Sequence, residues 1–179
     1  TTRKTRSNGS LTSATSGVGS YSHLAGEWFA SNAGVKINFV PYNTSSPYAD
    51  LVAGQVQVSV QSLPSSIAFI RSGRMKVLGV VNPKRLPVLP EAPTIGETIK
   101  DFGATPWYGV FAPTGTPKAI ITQLNAEIAK ALESKDVQER LAGVGCEAFK
   151  STPEQFAQLV REDLPRWAKI VKDSGATID

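Results

Sequence analysis

The first half of the chain alternates short strand patterns with helical patterns, and no other feature constrains the fold as strongly. Apolar and β-branched residues form strand patterns that begin at Leu11 and recur over 35–40, 56–60 and 75–81. Helical patterns separate them, and these connections are too long for hairpin turns. A strand–helix repeat of this kind predicts a parallel sheet covered by helices, which is an α/β fold.

The second half of the chain is mainly helical. The segment 82–94 contains four prolines and cannot hold a long regular element, and Thr94 with Glu97 has the spacing of a capping box. Short strands are expected at 107–111 and 147–149. Three amphipathic helices need more sheet than two short strands supply. These helices are expected to start near Pro117, near Val137 and at Pro153, the last with a kink at Pro165.

Composition excludes several classes of function. The net charge is +4, and Arg3, Lys4 and Arg6 supply three of these charges at the start of the chain, so no nucleic-acid-binding face is expected. Cys146 and His23 are the single residues of their types, so no disulfide, metal site or cofactor is predicted. The sequence contains neither a run of about 18 apolar residues nor a signal-peptide pattern, and a mature or truncated start is expected.

A loop rich in glycine and serine joins the first strand pattern to the first helical pattern. Its N–H groups lie at the positive end of a helix dipole, and its glycines allow close approach of a ligand, so the loop predicts an anion site. Helix capping alone would use the same residues, and their spacing leaves both interpretations open. The loop lacks the P-loop lysine and the third glycine of the dinucleotide fingerprint. The candidate ligand-binding residues are Ser16, Gly17, Val18, Gly19, Ser20 and Ser22.

Two further polar loops, 41–46 and 61–65, also follow strand patterns and lead into helices. Because the carboxyl ends of parallel strands meet at one edge of a sheet, we expect all three loops to lie over the same site. Glu27 and Asp50 lie within helical patterns, so no catalytic acid–base pair is predicted. The candidates that these loops add are Gln61 and Ser62, with Asn43, Thr44 and the histidine His23 as secondary candidates.

The order and spacing of several motifs from Leu11 onward resemble one family of transport proteins. The motifs include the Ser-Gly-x-Gly-Ser-x-x-His-Leu-Ala-Gly-Glu segment, the Val-Pro-Tyr turn, Gly-Gln-Val-Gln, the proline-rich crossing and Ala-Pro-x-Gly-Thr-Pro. They occur within runs such as "SATSGVGSYSHLAGEWF" and "VKINFVPYNTSSPYADLVAGQVQVSV". Together they are similar to the solute receptors of tripartite tricarboxylate transporters, the Bug-type receptors.

The resemblance implies a periplasmic, two-lobed binding protein of the type II-like class. Such a receptor is not an enzyme, closes on a small mono- or dicarboxylate and delivers it to a membrane permease. The resemblance places the ligand carboxylate at the loop from Ser16 to Ser22, held by backbone N–H groups, hydroxyls and water, with Gln61 and Ser62 also facing the cleft.

The chain also departs from the family pattern. No counterpart of the family's first-lobe segment precedes Leu11, and Gln61 stands where relatives often carry aspartate, which weakens the case for an amino-acid ligand. Asn43-Thr44 replaces a common Lys-Gly pair. The expected organisation is a disordered tail at 1–10, a ligand-binding α/β lobe at 11–82, a proline-rich interlobe crossing at 83–104, and the returning strand and helices of the other, incomplete lobe at 105–179.

An incomplete lobe would leave apolar helix faces uncovered. We therefore expect exposure of Ile121, Leu124, Ile128 and Trp167, and a homo-oligomer or swapped dimer, unless these helices repack on the first sheet. The leading functional hypothesis is a carboxylate-binding transport receptor. The alternatives are a ligand-sensing module that contacts a protein partner through the helix at 117–133 and, as the weakest, an enzyme acting on a phosphorylated or acylated small molecule.

Overall fold

The structure is a computed structural model and describes residues 11–174. The tail predicted at 1–10 therefore lies outside the described residues. The elements are β1 (Leu11–Thr15), α1 (Tyr21–Ala33), β2 (Ile37–Pro41), α2 (Tyr48–Ala53), β3 (Val58–Ser59), α3 (Leu63–Arg71), a 3-10 helix (Ile95–Glu97), α4 (Lys118–Glu133), α5 (Lys135–Gly143) and α6 (Pro153–Ser174).

The described residues divide into two compact units. The first unit contains the chain up to Met75 together with the chain from Leu164 onward, and the second unit is Lys76–Asp163. Helix α6 begins in the second unit and ends in the first. The four segments expected from the sequence remain a prediction.

The first unit is built on a three-stranded parallel sheet in the order β2-β1-β3. Strand β1 pairs with β2 along its whole length, and Ser13 and Ala14 pair with the two residues of β3. Because β1 is central, its residues Ser13, Ala14 and Thr15 are buried. The predicted α/β fold with a parallel sheet is confirmed. Other buried side chains of this unit are Ala25, Ala30, Val56, Ile67 and Ile170.

Helix α1 has well-defined ends. The side chain of Ser20 accepts a hydrogen bond from the N–H group of His23 and forms the N-cap. Gly34 adopts the left-handed conformation with φ 64° and forms the C-terminal cap. Gly26 lies on the buried face, where an added Cβ would be 2.5 Å from Cε1 of Phe39. Glycine at this position lets the helix approach β2 closely.

The second unit contains the helices predicted from the sequence but not the strands. Thr94 forms the expected capping box with Glu97, and Thr152 and Gln155 exchange the equivalent pair of hydrogen bonds at the start of α6. The strand predicted at 75–81 is wrong, because only Val80 pairs, through an isolated parallel bridge to Thr94. A strand is stabilised by a neighbour, and an apolar pattern alone does not provide one.

The strands predicted at 107–111 and 147–149 are also wrong, since neither segment lies in a sheet. Within the described residues, no backbone N–H or carbonyl group of 105–112 bonds to another backbone group. Tyr108 and Val110 are 72% and 74% exposed. On α4, Leu124 and Ile128 are exposed as expected and Ile120 is exposed as well, whereas Ile121, which was also expected to be exposed, is half-buried. Apolar side chains of the second unit are therefore left exposed, as expected for helices with too little sheet to cover.

Trp167 was expected to be exposed, and this expectation is wrong. It is half-buried, and its ring packs edge-on against Tyr21 of the same unit with centroids 5.5 Å apart. Ile170, one turn further along α6, is only 5% exposed. The end of α6 is therefore packed within the first unit, and the repacking considered for these helices holds for this part of the chain.

The proline-rich segment is fixed by one ion pair. Arg85 donates to both carboxylate oxygens of Glu97, at 2.8 and 2.7 Å, and to the carbonyl of Pro90. The hydrogen bonds from Arg85 and from the Thr94 backbone lower the pKa of Glu97 to about 2. Glu97 thus caps the 3-10 helix and anchors the segment before it.

Replacing Gly26 tests the close approach of α1 to β2. We expect Gly26→Ala to lower the free energy of unfolding by about 1–3 kcal/mol, because the new methyl group must displace the Phe39 ring. Gly143→Ala is the matched control, since an added Cβ there meets nothing within 4 Å. Chemical denaturation of both variants measures the difference, and equal stabilities would contradict the close contact.

Candidate ligand-binding site

A cavity of about 380 Å³ lies at the carboxyl edge of the sheet in the first unit. Three loops enclose it, each following one strand, as ligand sites of open parallel sheets are usually built. Its volume falls within the range of small-molecule sites. The lining residues are Ser16, Ser20, Tyr21, Ser22, Tyr42, Ser45, Ser46, Pro47, Tyr48, Gln61, Ser62 and Ser65.

The glycines of the first loop serve its backbone conformation. Gly17 has φ 120° and Gly19 has φ 74°, values that residues with a side chain rarely adopt. An added Cβ on Gly17 would lie 2.9 Å from Oδ1 of Asn43. The two glycines therefore let the chain turn sharply between β1 and α1 while the next loop packs against it.

The hydroxyl groups of Ser20 and Ser22 are used inside the first loop. Ser20 Oγ donates to the carbonyl of Gly17 at 2.7 Å and lies 3.0 Å from Ser22 Oγ. The buried Ser22 Oγ accepts the N–H group of Ser16 at 2.8 Å. Ser16 itself is exposed, so its hydroxyl is the one that this loop offers to a ligand.

The N-terminal end of α1 lies beside the cavity, because Ser20, Tyr21 and Ser22 all line it. Within residues 11–174, the N–H groups of Val18 and Ser22 have no acceptor, whereas those of Gly19 and Ser20 bond inside the loop. A helix start with unused donors and a positive dipole end favours an anion in this part of the cavity.

His23 supports the loop from outside the cavity lining. Its Nδ1 accepts the N–H group of Gly19 at 3.1 Å, its Nε2 lies 3.7 Å from Glu27, and its ring packs edge-on against Phe39. Burial raises the pKa of Glu27, and the opposing effect of His23 is smaller. These contacts give His23 a packing and loop-supporting role rather than a place in the cavity lining.

Tyr42 follows β2, lines the cavity and directs its hydroxyl hydrogen toward Asp50, outside the lining. Its hydroxyl donates to Oδ2 of Asp50 at 2.7 Å, and this hydrogen bond is the main reason why the pKa of Tyr42 is raised. Asp50 does not line the cavity. Tyr42 therefore offers only oxygen lone pairs to the interior.

Gln61 and Tyr48 line the cavity from the loop after β3 and from the start of α2. Nε2 of Gln61 donates to Ser59 Oγ at 2.6 Å, and Oε1 of Gln61 lies 3.4 Å from the Tyr48 hydroxyl. The Tyr48 hydroxyl is 2.6 Å from Ser65 Oγ, and its ring stacks on Phe69 with centroids 4.9 Å apart. Packing and hydrogen bonds thus hold both side chains in place.

The structure brings together part of the predicted site. Ser16, Ser20, Ser22, Gln61 and Ser62 line the cavity, and the remaining candidates lie outside its lining: Gly17, Val18, Gly19, His23, Asn43 and Thr44. The predicted loops 41–46 and 61–65 also contain Tyr42, Ser45, Ser46 and Ser65, which line the cavity although they were not singled out as candidates. Tyr21, Pro47 and Tyr48 line it as well and lie outside those predicted loops.

Within the part of the chain that the structure describes, the lining contains no acidic or basic side chain. Among residues 11–174, no cluster of His, Cys, Asp or Glu is arranged to hold a metal ion. The same part of the chain has no helix that combines the length and apolar character needed to cross a bilayer. Burial raises the pKa of the Cys146 thiol, which makes it less reactive.

The model of one protein family, described as "Tripartite tricarboxylate transporter family receptor", matches residues 2–176. The chain belongs to this receptor family. A protein in the tcbD-tcbE intergenic region of Pseudomonas sp. (strain P51) is 41% identical over 166 residues, which are 91% of this chain and 49% of the relative. BugT of Bordetella pertussis is 36% identical over 172 residues, covering 95% of this chain and 53% of BugT. The chain thus spans about half the length of these two curated relatives.

Solved structures of binding proteins have the same fold as this receptor-family chain. R. palustris Rpa4515 with adipate gives a TM-score of 0.89 at 34% identity, covering 96% of this chain and 58% of that one. The periplasmic binding protein BugD gives 0.87 at 31% identity, with 95% and 58% covered. MatC from Rhodopseudomonas palustris with bound malate gives 0.82 at 33% identity, with 91% and 57% covered.

The bond from Tyr42 to Asp50 can be tested by titration. Because it raises the pKa of Tyr42, this phenol is expected to ionise above the ordinary value of about 10, and Asp50→Asn should lower its pKa. The bond stabilises the fold fully below the unfolded pKa, and this contribution is lost as pH rises through the folded pKa. Phenolate absorbance measures the shift. Asp136→Asn, on α5, is the control, and identical titrations of both variants would contradict the bond.

Proposed function

We propose that this chain supplies the ligand-binding α/β unit of an extracytoplasmic receptor that binds a small organic carboxylate. The observation that carries the proposal is the cavity of about 380 Å³ beside the start of α1, lined by hydroxyl and amide groups. The bound adipate and malate of similar proteins, both small carboxylates, support the same ligand class.

Neutral hydrogen-bond donors would hold the carboxylate. The Ser16 hydroxyl and the N–H group of Ser22 lie at the positive end of α1, where an anion is stabilised by both hydrogen bonds and the helix dipole. A site without a fixed positive charge binds its ligand less tightly but releases it more readily. That property suits a protein that must deliver what it binds.

Delivery to a tripartite tricarboxylate-type permease and a periplasmic location are part of the proposal for the whole protein. They are supported by membership of the receptor family and by similarity to the periplasmic binding protein BugD. We further propose that the protein is not an enzyme. In support, among residues 11–174 the serines of the cavity lining have no histidine, carboxylate or lysine beside them in that lining to act as a base.

Ligand-induced stabilisation tests carboxylate binding. With adipate or malate in excess, the melting temperature of the chain should rise, because a ligand that binds only the folded state stabilises it. Ser16→Trp should abolish the rise by filling the cavity mouth. Ser31→Trp, at an exposed site on α1 outside the cavity, is the matched control and should leave the rise intact. No rise with any small carboxylate would contradict the proposal for this chain.

A second proposal concerns the exposed apolar surface of the second unit. We propose that 105–112 and the row Ile120, Leu124 and Ile128 of α4 associate with a second copy of the chain. Unpaired backbone groups favour strand pairing, and identical edges pair readily around a two-fold axis. The alternative function, a sensing module with a different protein partner, would use the same surface.

Light scattering after gel filtration tests the association. We expect a dimer whose dissociation constant rises at least about tenfold in Leu124→Glu, because the charge would be buried at the interface. Gln123→Glu adds the same charge at a neighbouring exposed position outside the row and should leave the dimer intact. A monomer at all concentrations, or equal effects of both changes, would contradict this proposal.

A further inference from the structure

A histidine occupies a capping position at α1 that other helices of this chain fill with glutamate or glutamine. In the capping box of the 3-10 helix, Glu97 accepts the backbone N–H group of Thr94, and a glutamine does the same at the start of α6. At α1, Ser20 Oγ accepts the N–H group of His23, and Nδ1 of His23 accepts that of Gly19 at 3.1 Å. The helix start beside the cavity is thus capped by an imidazole.

The contacts of His23 fix the position of its hydrogen. A backbone N–H group only donates, so Nδ1, which accepts from Gly19, carries no hydrogen. In a neutral imidazole the single hydrogen is then on Nε2, which faces the Glu27 carboxylate at 3.7 Å. The side chain is only 12% exposed, and its ring packs edge-on against Phe39. The folded loop therefore uses one tautomer of neutral histidine.

The hydrogen bond to His23 holds a backbone conformation that the loop could otherwise leave. Gly17 and Gly19 have φ values of 120° and 74°, and glycine adopts both signs of φ at little cost. The carbonyl of Gly17 is held by the N–H group and the hydroxyl of Ser20. Among residues 11–174, the N–H group of Gly19 has His23 as its acceptor. The second glycine of the turn is therefore fixed by the imidazole.

We propose that His23 is a positioning residue of the candidate site, whose neutral imidazole holds the loop in its ligand-binding conformation and whose protonation releases it. This inference rests on the proposed carboxylate-binding function and deepens it. The donors that we assign to the carboxylate, the Ser16 hydroxyl and the Ser22 N–H group, lie on the two sides of Gly19 along the chain. The bond from Gly19 to His23 ties the loop to the first turn of α1 and so sets one donor relative to the other.

Protonation of His23 removes this bond. Nδ1 then carries a hydrogen directed at the N–H group of Gly19, and two donors do not bond to each other. The new positive charge lies beside Glu27 rather than in the cavity lining. The other segments in contact with the ring, β2 from Ile37 to Pro41 and the loop from Ser16 to Ser20, contain no titratable side chain. Acid therefore weakens the site through the loop.

The pH dependence of ligand binding tests the proposal. Calorimetry uses the full 179-residue chain with malate or adipate, whichever binds more tightly. His23→Gln keeps a neutral acceptor, as at the start of α6, but does not gain a proton. The ratio of wild-type to His23→Gln affinity cancels protonation of the ligand itself. It should fall about fivefold from about pH 8 to pH 5, as expected for one lost hydrogen bond. A ratio that stays constant or rises in acid would overturn the proposal.

A second variant separates positioning from packing. His23→Leu keeps an apolar contact with Phe39 but has no acceptor for the N–H group of Gly19. At about pH 8 it should bind the ligand about fivefold more weakly than His23→Gln. Its affinity relative to His23→Gln should not change with pH. Equal affinities of the two variants would mean that the acceptor is not needed, and the proposal would be wrong.

Glu27→Gln tests the charge beside the imidazole. It removes the negative charge that stabilises the protonated ring, so acid should weaken binding less than it does in the wild type. Glu139→Gln makes the same change at an exposed position of α5 and is the matched control, which should respond to acid as the wild type does. Identical acid responses of the two variants would contradict the assigned role of protonation.

A measurement without ligand keeps the two claims apart. His23 is the single histidine of the chain, so nitrogen NMR spectra of labelled imidazole report on this residue alone. We expect the Nε2–H tautomer at about pH 8. The Nδ1–H tautomer would overturn the inference even if malate or adipate binds. If the expected tautomer is found and no small carboxylate binds at any pH, the proposed function is overturned and the positioning role with it, while the contact with Gly19 stands.

Discussion

The pairing of β1 between β2 and β3 determines where every loop of the cavity lies. Its last residues are buried, and their carbonyl groups bond to both neighbouring segments. The carbonyl of Thr15 accepts the N–H group of Tyr42 at 2.9 Å, and the carbonyl of Ala14 accepts the Ser59 hydroxyl. The end of one buried strand thus fixes the loop after β2 and the residue that orients Gln61.

Hydrogen bonds orient the polar side chains around the cavity, and among residues 11–174 its lining carries no fixed charge. Two acceptors that cannot donate, the Ala14 carbonyl and the Asp50 carboxylate, lie outside the lining and each take a hydrogen from a residue near it. Ser59 in turn accepts a hydrogen bond from Gln61, which lines the cavity, and Tyr42 itself belongs to the lining. Buried neutral groups are costly when unpaired, so these hydrogen bonds favour a single orientation of the side chains near the cavity.

The sequence indicated which loops form the cavity but not which of their side chains meet there. Loops after successive parallel strands must converge, so Ser16, Gln61 and Ser62 were accessible to prediction from position alone. Tyr48 reaches Gln61 and Ser65, which are 13 and 17 positions away, and that contact depends on how α2 packs against α3. The roles of Ser20 and Ser22 inside the loop likewise depend on its folded backbone.

The sequence by itself determined the features that depend on interactions between residues a few positions apart. The caps at Ser20, Gly34, Thr94 and Thr152 and the extents of the helices follow from such local contacts, and the strand–helix repeat fixed the parallel class of the sheet. Tertiary structure alone decided which apolar runs became strands. The segments 75–81 and 107–111 have the pattern of a strand, but a strand needs a neighbour to bond its backbone, and that neighbour is not encoded in the run itself.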